Sequence, residues 1–516
     1  MTSATLIPRL RSDLAAARFS VPGLTGLWGM EADAALHRNQ PVPARRALAA
    51  LAARLGRIEP AATLARLFLL GDPVPRGDLD AALPALGEAG ALALGLVAAD
   101  DDTVRPLVDL RPYSFIDAHG AGSWWIVSDL GELALGHPLG ETHVLGIGGA
   151  SRTLSGLMIP REVGRALDIG TGCGIQAMHA SRHAGHVVAT DISERALELA
   201  ALNAELNEID NIEFRLGSLF EPVAGEQFDH IISNPPFVIT PRAEGVPSYE
   251  YRDGGMVGDA LVEAVVRGAT AHLTPGGVLQ LLGNWEYHGE TDAFERLERW
   301  LTPVAAPAAP SSELDAWIIE REVQTPGEYA ETWIRDGGTR PGPDFDRLYD
   351  AWLNDFDARG VRRVGFGYLL LRRPHQSMPT LRRLERLPEA LGHNPAGLGA
   401  HLAECLAAHD WQAHTDDARL VRTQLIVASD VTEERHYWPG QQDPTLMTLH
   451  QGSGFGRSVP LDTALAGLVG ACDGDLAVGA IIGALAQLLD ADEPALTAEL
   501  LPKLRALIVD GFLAVA

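Results

Sequence analysis

Three short motifs follow apolar, strand-like runs, and their residue types could hold a ligand and orient a reacting group. The first is the glycine-rich turn Asp168-Ile-Gly-Thr-Gly-Cys-Gly174, which follows the run RALDI (165–169). Its glycines Gly170, Gly172 and Gly174 permit positive φ angles and lack the Cβ atoms that would keep a ligand off the backbone. Such a turn lies where doubly wound sheets bind ligands. It could cradle a cofactor, although a plain tight turn is the alternative.

The second motif is an acidic residue at the end of the next apolar run, HVVATD (186–191). Asp191 follows the glycine-rich turn by the length of one helix and one strand. A carboxylate at this place can accept hydrogen bonds from both hydroxyls of a ribose. The alternative is a helix cap, because Asp191 and Ser193 precede a helical pattern and such residues are common caps. The two roles are compatible.

The third motif ends the run FDHIIS (228–233) and reads Asn234-Pro235-Pro236-Phe237. Two consecutive prolines fix the backbone and remove two amide donors, which leaves carbonyl groups free to accept hydrogen bonds. A planar NH2 group could donate one proton to the Asn234 side chain and one to the Pro235 carbonyl while it stacks on Phe237. Its nitrogen would then be aimed at an electrophile. An ordinary strand-ending turn is the alternative.

The elements that must position these motifs alternate between strand and helix. Short, fully apolar runs separated by helical patterns are typical of a parallel sheet covered on both faces. The last two strands bracket an acidic helical segment (327–360), which favours a final antiparallel hairpin. The fold class is therefore α/β, with a seven-stranded Rossmann-like sheet. The predicted strands are 165–169, 186–191, 212–217, 228–233, 277–283, 316–322 and 364–373.

Mainly helical domains are predicted on both sides of this sheet. Residues 1–145 form helices followed by a hairpin whose turn is ADDDT, which predicts a winged-helix-like domain. Residues 146–374 form the α/β domain. Residues 375–516 open with a linker that becomes a helix (375–389) and end in a second winged-helix-like unit.

Residues 146–374 resemble class I S-adenosylmethionine-dependent methyltransferases of the group with an Asn-Pro-Pro-aromatic signature. The group includes release-factor glutamine methyltransferases, rRNA guanine methyltransferases with a "methyltransferase small" domain, and adenine amino methyltransferases. The resemblance implies S-adenosyl-L-methionine as the cofactor, a planar NH2 group as the acceptor, and no metal. It assigns the catalytic role to Asn234, Pro235, Pro236 and Phe237.

The same resemblance implies how the cofactor is held. The glycine-rich turn with Asp168 would hold the methionine moiety, Asp191 the ribose, and Ile192 the adenine. Such proteins usually carry an acidic residue for the adenine amino group after the third strand, whereas this chain has Ser218. Ser218 or the backbone of Leu219 would then accept that hydrogen bond. The implied cofactor-binding residues are Asp168, Gly170, Gly172, Gly174, Asp191, Ile192, Ser218, Leu219 and Asn234.

Two further segments could contact the substrate. The segment 248–265 resembles the loop and helix that follow the signature in glutamine methyltransferases, which makes Tyr251, Arg252 and Asp253 candidates for substrate contacts. A capped helix start is the alternative. Upstream, 146–160 lies where related enzymes place a lid over the cofactor, and Arg152 with the preceding glycines could line it.

Composition narrows the classes of partner. The 516 residues carry a formal net charge of −27, which argues against tight, sequence-independent binding of phosphate backbones. Three cysteines are too few for a disulfide framework or a four-cysteine zinc site, and the histidines show no metal-binding spacing. The sequence shows no secretory signal and no apolar run of about 20 residues. A cytoplasmic protein is expected.

The leading interpretation is an N-methyltransferase that acts on a planar NH2 group, and the favoured acceptor is the side-chain amide of a protein glutamine. The exocyclic amine of guanine or adenine in RNA or DNA is the first alternative, because it presents the same planar group. A winged-helix regulator that senses the cofactor is the second. The helices that would read DNA carry few basic residues, which disfavours the regulator. Peptide capture by the C-terminal unit is a further hypothesis.

Overall fold

A computed structural model describes residues 3–135, 139–243, 245–247, 252–302, 313–375 and 378–516. The chain forms two compact units, residues 1–155 with 162–379, and residues 156–161 with 380–516. Contacts do not divide the first unit at residue 145, so the three-domain division stays a prediction. Within the described ranges, no helix is long and apolar enough to cross a membrane.

The first part of unit 1 is helical and ends in two hairpins. Helix α2 begins after Ser20, whose side chain accepts the Gly23 N–H at 3.2 Å. The elements are α1 (Ser3–Ala16), α2 (Val21–Leu36), α3 (Val42–Leu55), α4 (Pro60–Leu64), β1 (Val74–Pro75), α5 (Arg76–Ala82), α6 (Gly87–Ala93), β2 (Val97–Asp100), β3 (Thr103–Pro106), β4 (Val108–Asp117), β5 (Gly120–Asp129), α7 (Glu132–Leu135) and α8 (Gly149–Leu157).

The predicted hairpin around ADDDT is present, because β2 and β3 pair antiparallel on either side of it. With β1 they make a three-stranded sheet in the order β1-β3-β2. A second and longer antiparallel hairpin joins β4 and β5. The assignment of this region as a winged helix stays a prediction.

The rest of unit 1 is the predicted α/β sheet. Seven of its strands lie side by side in the order β11-β12-β10-β9-β6-β7-β8. The strands are β6 (Val163–Ile169), β7 (Ala184–Asp191), β8 (Ile212–Leu216), β9 (Phe228–Ser233), β10 (Leu273–His288), β11 (Asp315–Gln324) and β12 (Val361–Arg372). The helices are α9 (Ile175–Ala180), α10 (Glu194–Leu206), α11 (Ala260–His272), α12 (Ala293–Leu301), α13 (Pro326–Asp336) and α14 (Pro343–Arg359).

Strand directions match the predicted class. The pairs β6–β7, β7–β8, β6–β9 and β9–β10 are parallel, whereas β12 runs antiparallel to both β10 and β11. Successive residues such as Ile231 and Ile232 of β9 are both fully buried, as expected where helices cover both faces of a sheet. The fold prediction is confirmed, and β10 extends beyond the predicted 277–283 at both ends.

Asn203 of α10 joins three parts of unit 1. Its side chain is fully buried. The Nδ2 group donates to the Val127 carbonyl at 2.9 Å and to the Cys173 carbonyl at 2.8 Å, and Oδ1 accepts the Val127 N–H at 2.7 Å. One amide thus satisfies backbone groups of β5 and of the glycine-rich turn. It links the N-terminal hairpin to the sheet edge where the motifs lie.

Unit 2 holds two three-stranded sheets, in the orders β18-β14-β19 and β15-β16-β17. The prediction of a helix in 375–389 is wrong, because the described part of that segment contains a strand. Pro379 and Pro388 leave too few residues between them for a stable helix. The elements are β13 (Arg382–Arg386), α15 (Gly399–Ala413), α16 (Asp417–Leu420), β14 (Gln424–Val427), β15 (Val431–His436), β16 (Leu446–Gln451), β17 (Ser458–Leu461), α17 (Thr463–Gly470), β18 (Asp473–Ala477), α18 (Val478–Leu488), α19 (Glu493–Val509) and β19 (Leu513–Val515).

Replacement of Asn203 tests the link between the hairpin and the sheet. Asn203→Ala leaves the buried Val127 N–H and two carbonyls without partners, and we expect it to lower the free energy of unfolding by about 2–4 kcal/mol. Asn211→Ala is the control, since Asn211 is only partly buried and bonds two carbonyls (3.2 and 2.9 Å) at the opposite end of the sheet. Urea unfolding followed by tryptophan fluorescence measures both. An Asn203→Ala loss no larger than that of the control would contradict this role.

Candidate active site

The three motifs meet at one edge of the sheet. Strand β6 lies between β7 and β9, and all three run in the same direction. The glycine-rich turn, Asp191 and Asn234 therefore follow the carboxyl ends of three adjacent strands. This edge is where open α/β sheets bind ligands.

The glycines of the turn fall into two kinds. All three have positive φ angles, 72° at Gly170, 55° at Gly172 and 87° at Gly174. A Cβ atom on Gly174 would lie 2.9 Å from the Cβ of Ala200, so this glycine lets α10 approach the turn. Cβ atoms on Gly170 or Gly172 would meet no described atom within 4 Å. These two glycines border open space at the strand end.

Asp168 supports the turn from below. It is fully buried, and its Oδ2 accepts the Thr171 hydroxyl at 2.6 Å and the Ala177 N–H at 3.0 Å. Burial raises the pKa of this carboxyl to about 7, and the nearby Asp191 charge adds to the rise. Oδ1 is buried and has no hydrogen-bond partner within the described ranges. Oδ2 thus fixes the conformation of the turn, whereas Oδ1 can still accept a hydrogen bond.

Asp191 accepts backbone hydrogen bonds at the start of α10 and in the glycine-rich turn, and its ribose-binding role stays a prediction. Its Oδ1 accepts the Ser193 N–H and its Oδ2 the Gly172 N–H, both at 2.9 Å. Ser193 itself caps α10. The Asp191 carboxylate is partly buried, and burial raises its pKa. It therefore joins the end of β7 to the glycine-rich turn while part of it stays accessible from the strand end.

The predicted adenine-contacting residues also lie at this edge. Ile192 is 62% exposed, which is unusual for an isoleucine next to a buried strand end. Ser218 is exposed and follows β8, and Leu219 adopts a positive φ of 49°. An exposed apolar side chain and exposed backbone beside Asp191 suit a flat, partly polar ring.

The Asn234–Phe237 motif presents two acceptors. The Asn234 Oδ1 is buried and has no hydrogen-bond partner among the described residues. The Pro236 carbonyl accepts the Gly254 N–H at 3.1 Å, whereas no described group donates to the Pro235 carbonyl. Buried polar atoms in native proteins are nearly always satisfied. An orphaned amide oxygen beside a free carbonyl therefore marks a place for a ligand with two donors.

Two predicted substrate residues hold the loop after the motif. The Arg252 side chain is buried, and its Nη1 donates to the Trp333 carbonyl at 2.8 Å. Asp253 is buried and pairs with Arg242, whose Nη1 donates to Oδ2 at 2.9 Å. Tyr251 lies outside the described residues. A substrate role for Arg252 or Asp253 stays a prediction, and the contacts present are structural.

Arg152 and the segment before it were the predicted lid. Arg152 lies in α8 with an exposed side chain. The Ser151 carbonyl accepts the Gln176 Nε2 at 2.8 Å, and Gln176 belongs to α9, directly after the glycine-rich turn. Gln176 thus holds α8 near the turn. Sequence reasoning missed it, although a buried-face glutamine in an apolar helix was a signal.

Aromatic residues that the sequence analysis did not single out surround Phe237. Its ring centroid lies 5.6 Å from that of Phe366 on β12 and 6.4 Å from that of Trp333 on α13. The Trp333 ring is nearly perpendicular to Phe237, with an interplanar angle of 78°. Trp333 lies in the segment predicted only as an acidic helical insertion (327–360), and Phe366 lies in the strand predicted after it (364–373).

Other reactive groups are not assembled at this edge. In the part of the chain that the structure describes, no group of three or more His, Cys, Asp or Glu residues could hold a metal ion. Cys173 of the turn is buried, and burial raises the pKa of its thiol to about 11. A neutral thiol is a poor nucleophile.

Known families match three parts of the chain. A model described as "methyltransferase small domain" matches residues 146–305. Two models described as domains of unknown function match residues 16–107 and 403–515. The α13–α14 insertion between β11 and β12 lies outside all three matches.

Curated relatives decide the family. A release factor glutamine methyltransferase of Xylella fastidiosa is 33% identical over 202 residues, which is 37% of this chain and 71% of that protein. The chain belongs to the family of the release factor glutamine methyltransferases. A ribosomal protein uL3 glutamine methyltransferase of Xanthomonas campestris is 39% identical over 127 residues, 23% of this chain and 41% of that protein.

As a member of the release factor glutamine methyltransferase family, the chain is an S-adenosylmethionine-dependent N-methyltransferase. Among solved structures, the ribosomal protein L11 methylase of Lactobacillus delbrueckii subsp. bulgaricus aligns with a TM-score of 0.26 and 20% identity, covering 45% of this chain and 81% of that one. The order and direction of strands β6 to β12 agree with the class I methyltransferase fold that the family implies.

The raised pKa of Asp168 predicts a pH dependence of stability. The folded chain keeps a proton on this carboxyl up to a pH of about 7, whereas the unfolded chain releases it near pH 4. The stabilisation from this group is therefore fully present below about pH 4 and is lost as the pH rises through about 7. Relative to Asp168→Asn, the wild type should become less stable between pH 5 and pH 8. Urea unfolding at several pH values measures the difference, and a constant difference would contradict it.

Proposed function

We propose that this chain transfers the methyl group of S-adenosylmethionine to the side-chain nitrogen of a glutamine in a protein. The observation that carries the proposal is the buried Oδ1 of Asn234 next to the carbonyl of Pro235, neither of which has a donor among the described residues. Acceptors on two consecutive residues suit the two protons of a planar NH2 group. The relatives named as glutamine methyltransferases support the amide of glutamine as that group.

The same strand edge fits the cofactor. S-adenosylmethionine supplies a methyl group already activated on a sulfonium. We propose that Gly170 and Gly172 let its methionine part lie on the backbone, since nothing described fills the space beside them. Oδ1 of Asp168, which has no partner among the described residues, would accept a hydrogen bond from the methionine part. Asp191 would accept the ribose hydroxyls.

The adenine would lie against residues of the next strand end. The exposed Ile192 offers an apolar surface. Ser218 and the backbone of Leu219 offer hydrogen-bonding groups after β8, where related proteins use a carboxylate. This set binds adenine with a neutral acceptor in place of a charged one.

The acceptor nitrogen is made reactive by its hydrogen bonds. An amide lone pair is delocalised into the carbonyl, and the nitrogen becomes positive as it attacks the methyl group. Donation of its two protons to Asn234 Oδ1 and the Pro235 carbonyl stabilises that developing charge. Holding nitrogen, methyl and sulfur in line supplies about 7–11 kcal/mol in favourable cases. Phe237 would stack on the flat amide, and its ring is already fixed by Phe366 and Trp333.

Charge near the acceptor groups favours a protein over a nucleic acid. The guanidinium groups of Arg242 and Arg252 are engaged by Asp253 and by the Trp333 carbonyl, so they are committed within the loop. The neighbouring side chains of Met256 and Val257 are 42% and 57% exposed. An apolar rim with arginines that are engaged by internal partners suits a peptide segment, whereas a phosphate backbone needs available cations. The predicted cytoplasmic location is compatible with a substrate of this class.

A glycine substitution tests the proposed cofactor site. Gly172→Ala adds a methyl group in the space assigned to the methionine part, and we expect the Kd for S-adenosylmethionine to rise at least about tenfold. Gly225→Ala is the matched control, because Gly225 also has a positive φ (82°) and open surroundings but lies in an exposed turn that precedes β9. Both variants carry the same backbone strain of about 1 kcal/mol. Isothermal titration calorimetry measures the affinity, and unchanged binding by Gly172→Ala would exclude this site.

Label transfer tests the proposed reaction. Wild-type protein with radiolabelled S-adenosylmethionine should label a protease-sensitive fraction of a methylation-deficient lysate. Asn234→Ala should reduce the transfer at least about 100-fold, since it removes one of the two acceptors that stabilise the charge of the transition state. The Kd for the cofactor should stay within about twofold of the wild-type value. Asn211→Ala should retain the transfer.

Each other result of this experiment has a defined meaning. Nuclease-sensitive label would assign the acceptor to a base amine and overturn the protein substrate. Full turnover by Asn234→Ala would overturn the role of its amide oxygen. Cofactor binding without any transfer would favour a sensor over an enzyme acting on macromolecules.

A further inference from the structure

The α13–α14 insertion lies between the last two strands of the sheet and beyond the matched methyltransferase domain (146–305). We propose that α13 positions the acceptor loop, defined as residues 234–243, and that Tyr329 and Trp333 are its positioning residues. This inference rests on the proposed function for its effect on turnover. The claim that α13 orders the loop rests only on the contacts between α13 and the loop.

Tyr329 is the first contact. Its side chain is buried (3% exposed), and its hydroxyl accepts the Ile239 N–H at 3.0 Å. The same hydroxyl forms a hydrogen bond with the side-chain amide of Asn284 at 2.5 Å. Burial raises the pKa of Tyr329, so the hydroxyl stays neutral. One oxygen therefore joins α13, β10 and the acceptor loop.

The Ile239 N–H needs this partner. Ile239 is 1% exposed, and it lies in a segment without regular secondary structure. A buried backbone N–H without an acceptor is costly. Removal of the Tyr329 hydroxyl would leave it unsatisfied, and the loop would have to move to find water.

Trp333 is the second contact and lies one helical turn after Tyr329. Its backbone carbonyl accepts the Arg252 Nη1 at 2.8 Å, and its ring meets the edge of Phe237. Arg252 in turn belongs to the strand-like segment that pairs with the loop, since the Arg252 carbonyl accepts the Val238 N–H at 2.9 Å. Residues four apart share one face of a helix. Helix α13 thus bonds Ile239 in the loop and Arg252 in the segment that faces the loop across the Phe237–Asp253 bridge.

The insertion is built to stay in place. Helix α13 begins with a capping box in which Thr325 and Glu328 each bond the backbone of the other. The Tyr329 ring packs against Trp352 and Phe356 of α14, each at 6.0 Å between centroids. Gly337 ends α13, where a Cβ atom would lie 3.0 Å from the Arg252 guanidinium. A methyl group at this position would require the Arg252 guanidinium to shift by a few tenths of an ångström.

The consequence concerns the geometry of the reaction. Phe237 and the two acceptors belong to a loop that has little regular structure of its own. Its orientation depends on the hydroxyl of Tyr329 and on Trp333. Loss of either contact should lower kcat for the acceptor and leave the cofactor site at the ends of β6 and β7 intact.

The variant Tyr329→Phe tests this inference, because it removes one oxygen and keeps the ring. Tyr287→Phe is the matched control. Tyr287 is equally buried, and its hydroxyl bonds Glu320 at 2.7 Å, away from the acceptor loop. Hydrogen–deuterium exchange of the peptide 237–243, the Kd for S-adenosylmethionine, Tm, and the rate of label transfer into lysate protein are measured for both.

We expect Tyr329→Phe to raise exchange in 237–243 about tenfold, which corresponds to about 1.4 kcal/mol. It should also lower the maximal transfer rate at least about tenfold with an unchanged cofactor Kd. Tyr287→Phe should lower Tm by a similar amount and leave both readouts at the wild-type level. Trp333→Ala should lower the rate, and Trp333→Phe should restore most of it.

Unchanged exchange in 237–243 would overturn the inference, as would a rate loss that follows Tm equally in both variants. The exchange readout needs no methyl acceptor. If the wild type transferred no label to protein, the proposed function would fail, whereas faster exchange confined to Tyr329→Phe would still support positioning by α13.

Discussion

The parallel pairing of β6 with β7 on one side and β9 on the other is the constraint on which the site depends. Hydrogen bonds in this register place Ile169 beside Thr190 and Ser233, so the three strands end together. The Ser233 hydroxyl also donates to the Ile169 carbonyl at 2.9 Å. The glycine-rich turn, Asp191 and Asn234 are thereby brought to one edge, although they are far apart in sequence.

Secondary contacts then turn this edge into a shaped site. Asp168 accepts the Ala177 N–H of α9, and Asp191 accepts the Gly172 N–H of the turn. Asn203 joins the same turn to the N-terminal hairpin. Within the part of the chain that the structure describes, these contacts leave Oδ1 of Asp168 and Oδ1 of Asn234 without a donor. The burial of apolar side chains elsewhere in the fold offsets the cost of these two unsatisfied oxygens. Donors on a cofactor and on an acceptor amide can satisfy them.

The sequence predicted the sheet and the three motifs because both depend on local patterns. Strand-length apolar runs indicate buried parallel strands. A glycine-rich turn, an aspartate and an Asn-Pro-Pro sequence at the ends of three such strands together indicate a ligand site. The strand β9 was predicted with its observed ends. Helix was wrongly predicted in 375–389, where flanking prolines shorten the element and leucines at three-residue spacing resemble a helical face.

The roles of the substrate candidates could not be predicted from local pattern. Arg252 and Asp253 read as ligands of a substrate, but their partners Trp333 and Arg242 come from other segments, and Trp333 is distant in sequence. The function of Tyr329 was hidden for the same reason, because its hydroxyl meets the acceptor loop only after the last two strands have paired. Tertiary contacts of this kind require the structure.

Chemical identification of the transferred methyl group tests the central claim most directly. Labelled protein from the lysate is hydrolysed in strong acid, the hydrolysate is made alkaline, and the volatile amines are collected. A methyl group on a glutamine side-chain nitrogen leaves as labelled methylamine together with glutamate, and we predict that this accounts for the label. Label that remains on arginine, lysine or a nucleobase, or that leaves as methanol from a carboxyl ester, would contradict the account.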